Sequence, residues 1–160
     1  MSWASWLAEN RRRSYKFRGL RPRWSLSAEI GGCNIATVFL VDDEKFIVEL
    51  YTDILEANGH KVVGVASDGE EAVRKYKDLQ EKPVVIIMDQ RMPVRDGVSA
   101  TQEILKMDPR ATIFFGSADL HIEKEALAAG AKAFLLKPFR IEELLAAIEE
   151  IEKERDSEKQ

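Results

Sequence analysis

The apolar run Ile35-Ala36-Thr37-Val38-Phe39-Leu40-Val41 ends in the pair Asp42-Asp43. Two later runs have the same design: residues 84–88 end in Asp89, and residues 131–136 end in Lys137. Short, continuous runs rich in β-branched residues are typical of strands that are buried on both faces of a parallel sheet. In open α/β sheets, ligands bind beyond the carboxyl ends of the strands. The sequence therefore predicts that these charged side chains meet at one edge of the sheet.

The charged residues at the three strand ends indicate a particular chemistry. Carboxylates that crowd together repel one another unless a cation neutralises them. A lysine beside them is suited to hold a phosphoryl oxygen. The set therefore predicts a phosphoryl-transfer site, and its members are Asp42, Asp43, Asp89 and Lys137.

Between residues 35 and 153 strand patterns alternate with helix patterns. The two other predicted strands are residues 61–66 and 112–115, and helical patterns cover residues 44–57, 68–79, 97–107, 123–129 and 141–153. Five strands, each followed by a helix, predict an α/β fold. We expect a doubly wound, five-stranded parallel sheet with right-handed crossovers and helices on both faces.

Charge divides the chain into unequal parts. Residues 1–34 carry six Arg and one Lys against two Glu, whereas the rest carries seventeen basic against twenty-six acidic side chains. We therefore predict a basic N-terminal extension over residues 1–34, disordered or loosely attached, a folded domain over 35–153, and a charged tail over 154–160. No apolar run has the length of a transmembrane segment. A single cysteine, Cys33, excludes an internal disulfide.

Five motifs occur in order, each at a strand end or in the loop beyond it: Leu40-Val41-Asp42-Asp43-Glu44, Met88-Asp89-Gln90-Arg91-Met92-Pro93, Asp96-Gly97, Ser117-Ala118 and Leu136-Lys137-Pro138-Phe139. Together they closely resemble the receiver domain of two-component response regulators, of the single-domain, chemotaxis-regulator-like type. The resemblance covers residues 35–153 and implies a flavodoxin-like sheet with strand order 2-1-3-4-5.

The resemblance gives a role to each acidic residue. Asp89 would be the phosphoacceptor and would attack the phosphoryl group on a histidine of a sensor kinase or a phosphotransfer protein. Asp43 and Asp89 would bind Mg²⁺ directly, together with the backbone carbonyl of Arg91, and Asp42 would act through water. Mg²⁺ commonly keeps several waters and uses few carboxylates, which fits this ligand set.

The resemblance also implies a switch. Lys137 would pair with Asp89 at rest and with a phosphoryl oxygen afterwards, across a Lys137–Pro138 bond that is a candidate for the cis form. Ser117 would move to the phosphoryl group, and Phe134 would rotate inward to fill the vacated space. The surface of the fourth helix, fifth strand and fifth helix (α4-β5-α5 in the family) would then change, and a downstream protein or a second copy would bind there.

Several positions bear on how well the predicted site and switch would work. Arg91 and Asp119 lie two residues after Asp89 and Ser117, where receivers flank the phosphoryl group. Their opposite charges predict an ion pair across the mouth of the site that slows hydrolysis. Gly116 stands where a larger apolar residue is usual, which predicts a looser switch loop, and Phe134 lacks the hydroxyl of the common tyrosine.

Other interpretations remain open at this point. A transcription regulator would use the basic, aromatic-rich residues 1–34 to bind nucleic acid. An aspartate-nucleophile phosphatase of the haloacid-dehalogenase-like kind would need an aspartate two residues after Asp89, where Arg91 stands. We therefore expect a cytoplasmic regulator that promotes its own phosphorylation and dephosphorylation and is not a turnover enzyme.

Ordinary structural roles also compete for some of these residues. Asp42 or Asp43 could cap the helix that follows, and Ser117 could cap the next one. Phe134 could be a core residue. His60 and His121 have no partner pattern, so we expect them at the surface or in loops.

Overall fold

The structure is a computed structural model that describes residues 15–17 and 35–158. Its strands are β1 (Tyr15–Phe17), β2 (Thr37–Val41), β3 (Lys61–Ala66), β4 (Val85–Asp89), β5 (Ile113–Ser117) and β6 (Ala133–Leu136). Its helices are α1 (Lys45–Ala57), α2 (Gly69–Asp78), α3 (Gly97–Met107), α4 (Glu123–Ala129) and α5 (Ile141–Glu158), with a 3₁₀ turn at Leu120–Ile122.

The five strands from β2 to β6 form a parallel sheet in the order β3-β2-β4-β5-β6. Counted within the domain this is the order 2-1-3-4-5, so the predicted flavodoxin-like fold is confirmed. The register sets Asp89 opposite Gly116 and Ser117 opposite Leu136. The last residues of neighbouring strands are therefore level, which brings the predicted site residues to one edge.

Strand β1 lies antiparallel beside β6, with Tyr15 opposite Leu135 and Phe17 opposite Ala133. The backbone of an edge strand has free hydrogen-bonding groups, which a passing segment can satisfy. Tyr15–Phe17 are thus paired with the domain, and the prediction that residues 1–34 are disordered or loosely attached stays a prediction. The other residues of that segment, and the nucleic-acid interpretation that depends on them, lie outside the described residues.

The core consists of two apolar layers, one on each face of the sheet. Side chains alternate along a strand, so Phe39 and Val41 pack in the layer with α2 and α3, whereas Leu40 packs in the layer with α1 and α5. Strands β4 and β5 are buried along their whole length. Helix α5 continues past Lys153 to Glu158, so the described part of the charged tail is helical.

Gly97 brings the start of α3 against the site strand. A Cβ atom at this position would lie 2.1 Å from the carbonyl oxygen of Asp89, a separation that no side chain tolerates. Asp96 caps the helix, because its side chain accepts a hydrogen bond from the Ser99 N–H. Glycine at this position therefore allows the loop after Asp89 to fold back directly into α3.

His60 lies in the loop between α1 and β3, as expected, but it is buried there and not at the surface. Its Nδ1 accepts a hydrogen bond of 3.3 Å from the backbone N–H of Ala36. Burial lowers the pKa of His60, because desolvation disfavours the imidazolium. The neutral ring thus serves as a hydrogen-bond acceptor for the backbone at the start of β2.

Among the described residues, no helix combines the length and the apolar character that a bilayer span requires.

Thr101, in α3, is fully buried, and its hydroxyl has no hydrogen-bond partner among the described residues. An unsatisfied buried hydroxyl costs roughly 1–3 kcal/mol. We expect Thr101→Val, which keeps the shape of the side chain, to raise the free energy of unfolding by about 1 kcal/mol in urea titrations. Thr52→Val is the control, because the Thr52 hydroxyl donates to the Val48 carbonyl and its removal should bring no gain. Equal stability of wild type and Thr101→Val would contradict the assignment.

Candidate functional site

Three aspartates form an acidic cluster at the carboxyl ends of β2 and β4. Carboxylate oxygens of Asp42, Asp43 and Asp89 all lie within 4.8 Å of one another. Asp42 and Asp89 are 7% and 9% exposed, whereas Asp43 faces solvent. Oxygen ligands of this kind are those that Mg²⁺ prefers, and an exposed side of the site leaves room for the waters that the ion keeps. The donor set therefore fits the predicted Mg²⁺.

Lys137 lies across two of the three aspartates. Its Nζ is 2.7 Å from Asp89 Oδ1 and 2.8 Å from Asp42 Oδ2, and the Lys137–Pro138 bond is cis, as predicted. The bond to Asp89 agrees with the predicted pairing, and the bond to Asp42 was not foreseen. Burial alone would lower the pKa of Lys137, but the hydrogen bonds to Asp42 and Asp89 raise it to about 12. The ammonium is therefore fully charged at neutral pH.

Two opposing effects act on the charge of Asp89. Desolvation raises its pKa, and the bonds from Lys137 and from the Arg91 backbone N–H offset that rise only in part. Three carboxylates and one ammonium leave two negative charges, which one divalent cation would neutralise. The arrangement suits a carboxylate nucleophile beside a metal. The Arg91 backbone carbonyl stays a predicted ligand.

Asp42 also serves the local structure. Its Oδ1 accepts a hydrogen bond of 2.9 Å from the Glu44 N–H, just before α1 begins. This bond closes a turn before the helix and is not a cap, because Glu44 is the N-cap and no side-chain bond caps α1. The capping interpretation is therefore wrong for Asp42, whose other oxygen binds Lys137. Both oxygens of Asp42 are engaged, which fits the expectation that this residue reaches a metal through water.

Ser117 ends β5 and is 2% exposed. Its Oγ accepts a hydrogen bond of 3.1 Å from the Asp119 N–H. Asp119, and not Ser117, caps the 3₁₀ turn that follows, because its side chain accepts from the His121 N–H. A hydroxyl that accepts one bond still has its hydrogen to donate. Ser117 is thus free to bond an oxygen placed beside Asp89, on the neighbouring strand.

Phe134 is already buried, with 2% exposure, and its ring lies parallel to that of Phe115 at 6.4 Å. The predicted inward rotation requires a ring that points outward at rest, and the ring of Phe134 does not. The physical reason is the missing hydroxyl, since a phenyl ring has no polar group that must find a partner when it is buried. The structural interpretation of Phe134 as a core residue therefore describes this conformation.

Gly116 lies inside the fully buried strand β5. A Cβ atom there would lie 3.4 Å from Phe139 Cε1 and 3.5 Å from Lys137 Cε, which is ordinary van der Waals contact. Close approach therefore does not require glycine at this position, and a looser switch loop stays a prediction.

The predicted ion pair at the mouth of the site is present. Arg91 Nη2 lies 3.8 Å from Asp119 Oδ2, and Arg91 is 82% exposed. A pair so exposed contributes little to the free energy of unfolding. Any effect of the pair on hydrolysis stays a prediction.

One residue near the site was missed by the sequence analysis. The ring of Tyr51, in α1, stacks on that of Phe139 with 5.5 Å between centroids and 25° between planes. Tyr51 comes one helical turn before the buried Leu55, and that spacing placed it on the inner face of α1. Phe139 was part of a recognised motif but had no role assigned to it.

The sequence of this chain is similar to those of known proteins. The family model for the response regulator receiver domain matches residues 38–149. The chain belongs to this family. The chemotaxis protein CheY of Thermotoga maritima is 41% identical over 118 residues, which cover 72% of this chain and 97% of that protein. The resemblance stated from the motifs is confirmed.

Solved structures agree with this assignment. CheY in the CheX-CheY-BeF3-Mg²⁺ complex of Borrelia burgdorferi superposes with a TM-score of 0.68 and 32% identity, over 72% of this chain and 88% of that one. A receiver domain from Clostridium thermocellum gives a TM-score of 0.71 and 27% identity, over 76% and 98% of the two chains. Receiver domains bind Mg²⁺ in an acidic pocket, and the aspartate cluster corresponds to it.

The two aspartates that follow β2 should contribute unequally to Mg²⁺ affinity. We expect weak binding at rest, because few protein ligands are available. Asp43→Ala should lower the affinity more than Asp42→Ala, since Asp43 would bind the ion directly and Asp42 is already bonded to Lys137 and the Glu44 N–H. Titration calorimetry measures both. Equal Mg²⁺ affinity of wild type and Asp43→Ala would contradict the ligand set.

Proposed function

We propose that this chain is a phosphoacceptor response regulator. Asp89 would take a phosphoryl group from a histidine of a sensor kinase, or of a phosphotransfer protein, in the cytoplasm. The phosphorylated domain would then control a partner protein and would not turn over a substrate. The observation that carries the proposal is the Lys137 ammonium, which bonds to Asp42 and Asp89 within a cluster of three aspartates.

The phosphoryl transfer would proceed by in-line attack. A carboxylate oxygen of Asp89 forms a bond to phosphorus while the bond from phosphorus to the histidine nitrogen breaks. Burial leaves this carboxylate poorly solvated, as its raised pKa indicates, and so increases its reactivity. Bound Mg²⁺ would neutralise negative charge on the phosphoryl oxygens.

Two side chains of the site would change partners during the transfer. Lys137 would exchange its bond to Asp89 for a bond to a phosphoryl oxygen. Ser117 would donate its hydroxyl hydrogen to another oxygen of the group, which draws the segment between β5 and α4 toward the site. Because Asp119 N–H bonds to Ser117 Oγ, movement of Ser117 would be passed to the residues before α4.

The output surface would be formed by α4, β6 and α5. The ring of Phe134 is already buried, so the change would begin in the segment after Ser117 and not with an inward rotation of the ring. The outer edge of β6 is paired with β1. A downstream protein, or a second copy of the chain, would therefore contact the α4 and α5 sides of this surface unless it displaces β1.

The proposal is tested by phosphorylation of Asp89. Incubation with acetyl phosphate and Mg²⁺ should add one phosphoryl group, observed by intact mass, and Asp89→Asn should abolish it because the amide is not a nucleophile. Asp53→Asn, an exposed position in α1, is the matched control and should be labelled like wild type. Undiminished labelling of Asp89→Asn would refute the assignment.

The Arg91–Asp119 pair should lengthen the lifetime of the phosphorylated state. By the receiver pattern, these two positions flank the phosphoryl group, so the pair would obstruct the in-line approach of an attacking water. We expect the double variant Arg91→Ala, Asp119→Ala to lose its phosphate faster than wild type, measured as decay of purified phosphoprotein without a phosphatase.

Two controls separate shielding from other effects. Asp119→Asn keeps an acceptor for the His121 N–H and removes only the charge. The double variant Arg95→Ala, Glu103→Ala removes another surface ion pair, of 2.9 Å, and should not change the decay. Equal or slower decay in the Arg91, Asp119 double variant would show that the pair is not a shield.

A further inference from the structure

The turn after β6 is fixed at two points on either side of the Lys137 side chain. At the first point, the Lys137 N–H donates to the Ser117 carbonyl at 2.9 Å. At the second, two residues later, the Phe139 ring stacks on Tyr51 of α1. Pro138, between the two points, is exposed. The backbone position of Lys137 thus depends in part on an aromatic contact with α1, which involves none of the charged residues of the site.

Tyr51 and Phe139 lie at the boundary between the core and the site. Both are partly buried and pack on the apolar layer that contains Leu40 and Leu144. The same two rings line a small cavity together with Asp42, Asp89 and Lys137. Gly116 also lines this cavity, and a Cβ atom built on it would lie 3.4 Å from Phe139 Cε1 and 3.5 Å from Lys137 Cε. The Phe139 ring and the Lys137 side chain therefore both pack against the end of β5.

We propose that Tyr51 is a positioning residue for phosphoryl transfer. Its ring stacks on Phe139 and so fixes the turn that holds the Lys137 ammonium between Asp42 and Asp89. This inference rests on the proposed function of Asp89 and adds to it a residue of α1 that would act through Lys137. The ring, and not the hydroxyl, performs this role.

The surroundings of the phenol support a role for the ring alone. Burial raises the pKa of Tyr51, and the charges of Lys137, Asp42 and Asp89 act on it in opposite directions. The hydroxyl therefore stays protonated at neutral pH and supplies no charge to the site. An aromatic pair contributes through the contact of its two faces, which phenylalanine reproduces.

Two substitutions separate the ring from its hydroxyl. Tyr51→Phe keeps the stack and should be phosphorylated by acetyl phosphate at the wild-type rate. Tyr51→Leu keeps an apolar side chain but loses the stack, and its rate should fall roughly threefold to tenfold. Val62→Ala, in β3 and packed on the same apolar layer, is the control for a general loss of stability and should leave the rate unchanged. An unchanged rate in Tyr51→Leu would overturn the inference.

A double-mutant cycle tests whether Tyr51 acts through the lysine. In a Lys137→Ala background, Tyr51→Leu should cause no further slowing, because the group that it positions is absent. A merely structural effect of Tyr51 on the site would slow both backgrounds by the same factor, and this outcome would refute the inference. The unfolding transition of each variant establishes that all rates are measured on folded protein.

A measurement without phosphate separates this inference from the proposed function. An ammonium held by two carboxylates exchanges its protons slowly enough to give a ¹H–¹⁵N signal at low temperature, which Lys137→Ala identifies by its loss. The signal should persist in Tyr51→Phe and broaden or vanish in Tyr51→Leu. Its persistence in Tyr51→Leu would overturn the positioning role. Failure of the wild type to accept phosphate would instead contradict the proposed function.

Discussion

The bridge from Lys137 to Asp42 and Asp89 is the interaction on which the site depends. Two carboxylates that are almost completely buried could not remain charged so close together without a cation between them. The lysine supplies that charge from a third strand, β6, so the bridge joins the ends of β2, β4 and β6. It also leaves the cluster with an excess of negative charge, which is the condition for binding a divalent cation.

The sheet register makes this bridge possible. Parallel strands of similar length end at the same level, and the charged residues come directly after the last buried positions of their strands. A shift of one residue in any of these strands would move its apolar side chains to the opposite face. The buried layers on both faces therefore fix the positions of Asp89 and Ser117 as firmly as any contact within the site does.

This dependence explains what the sequence could predict. The apolar runs, the helical spacing and the charges at the strand ends are local patterns, and together they predict the parallel sheet and the site at its edge. The Arg91–Asp119 pair followed from the resemblance to receivers, in which these two positions flank the phosphoryl group, and from their opposite charges. The bond from Lys137 to Asp42 could not be predicted from such patterns. The sequence offers both Asp42 and Asp89 as partners, and only the distances in the structure show that the lysine contacts both.

Contacts between distant segments escaped the sequence for the same reason. Nothing in Tyr15–Phe17 indicates pairing with β6, since an edge strand accepts many partners. His60 has no pattern because its partner is a backbone amide 24 residues away. The Tyr51–Phe139 stack joins α1 to the turn after β6. The contact of Gly116 with Phe139 and Lys137 likewise joins two segments, and the local sequence around Gly116 does not indicate it.

The burial of Phe134 limits what can drive a change of state. Where an aromatic ring moves from solvent into the core, its burial adds to the free energy that favours the switched surface. Here the ring is buried at rest, so that contribution is already present in both states. In the proposed switch, the driving free energy would come mainly from the new bond of Ser117 to the phosphoryl group, because Lys137 only exchanges its bond to Asp89 for another charged partner. A hydrogen bond to a charged group contributes roughly 1.5–3 kcal/mol, which shifts a two-state equilibrium by roughly one to two orders of magnitude for each bond.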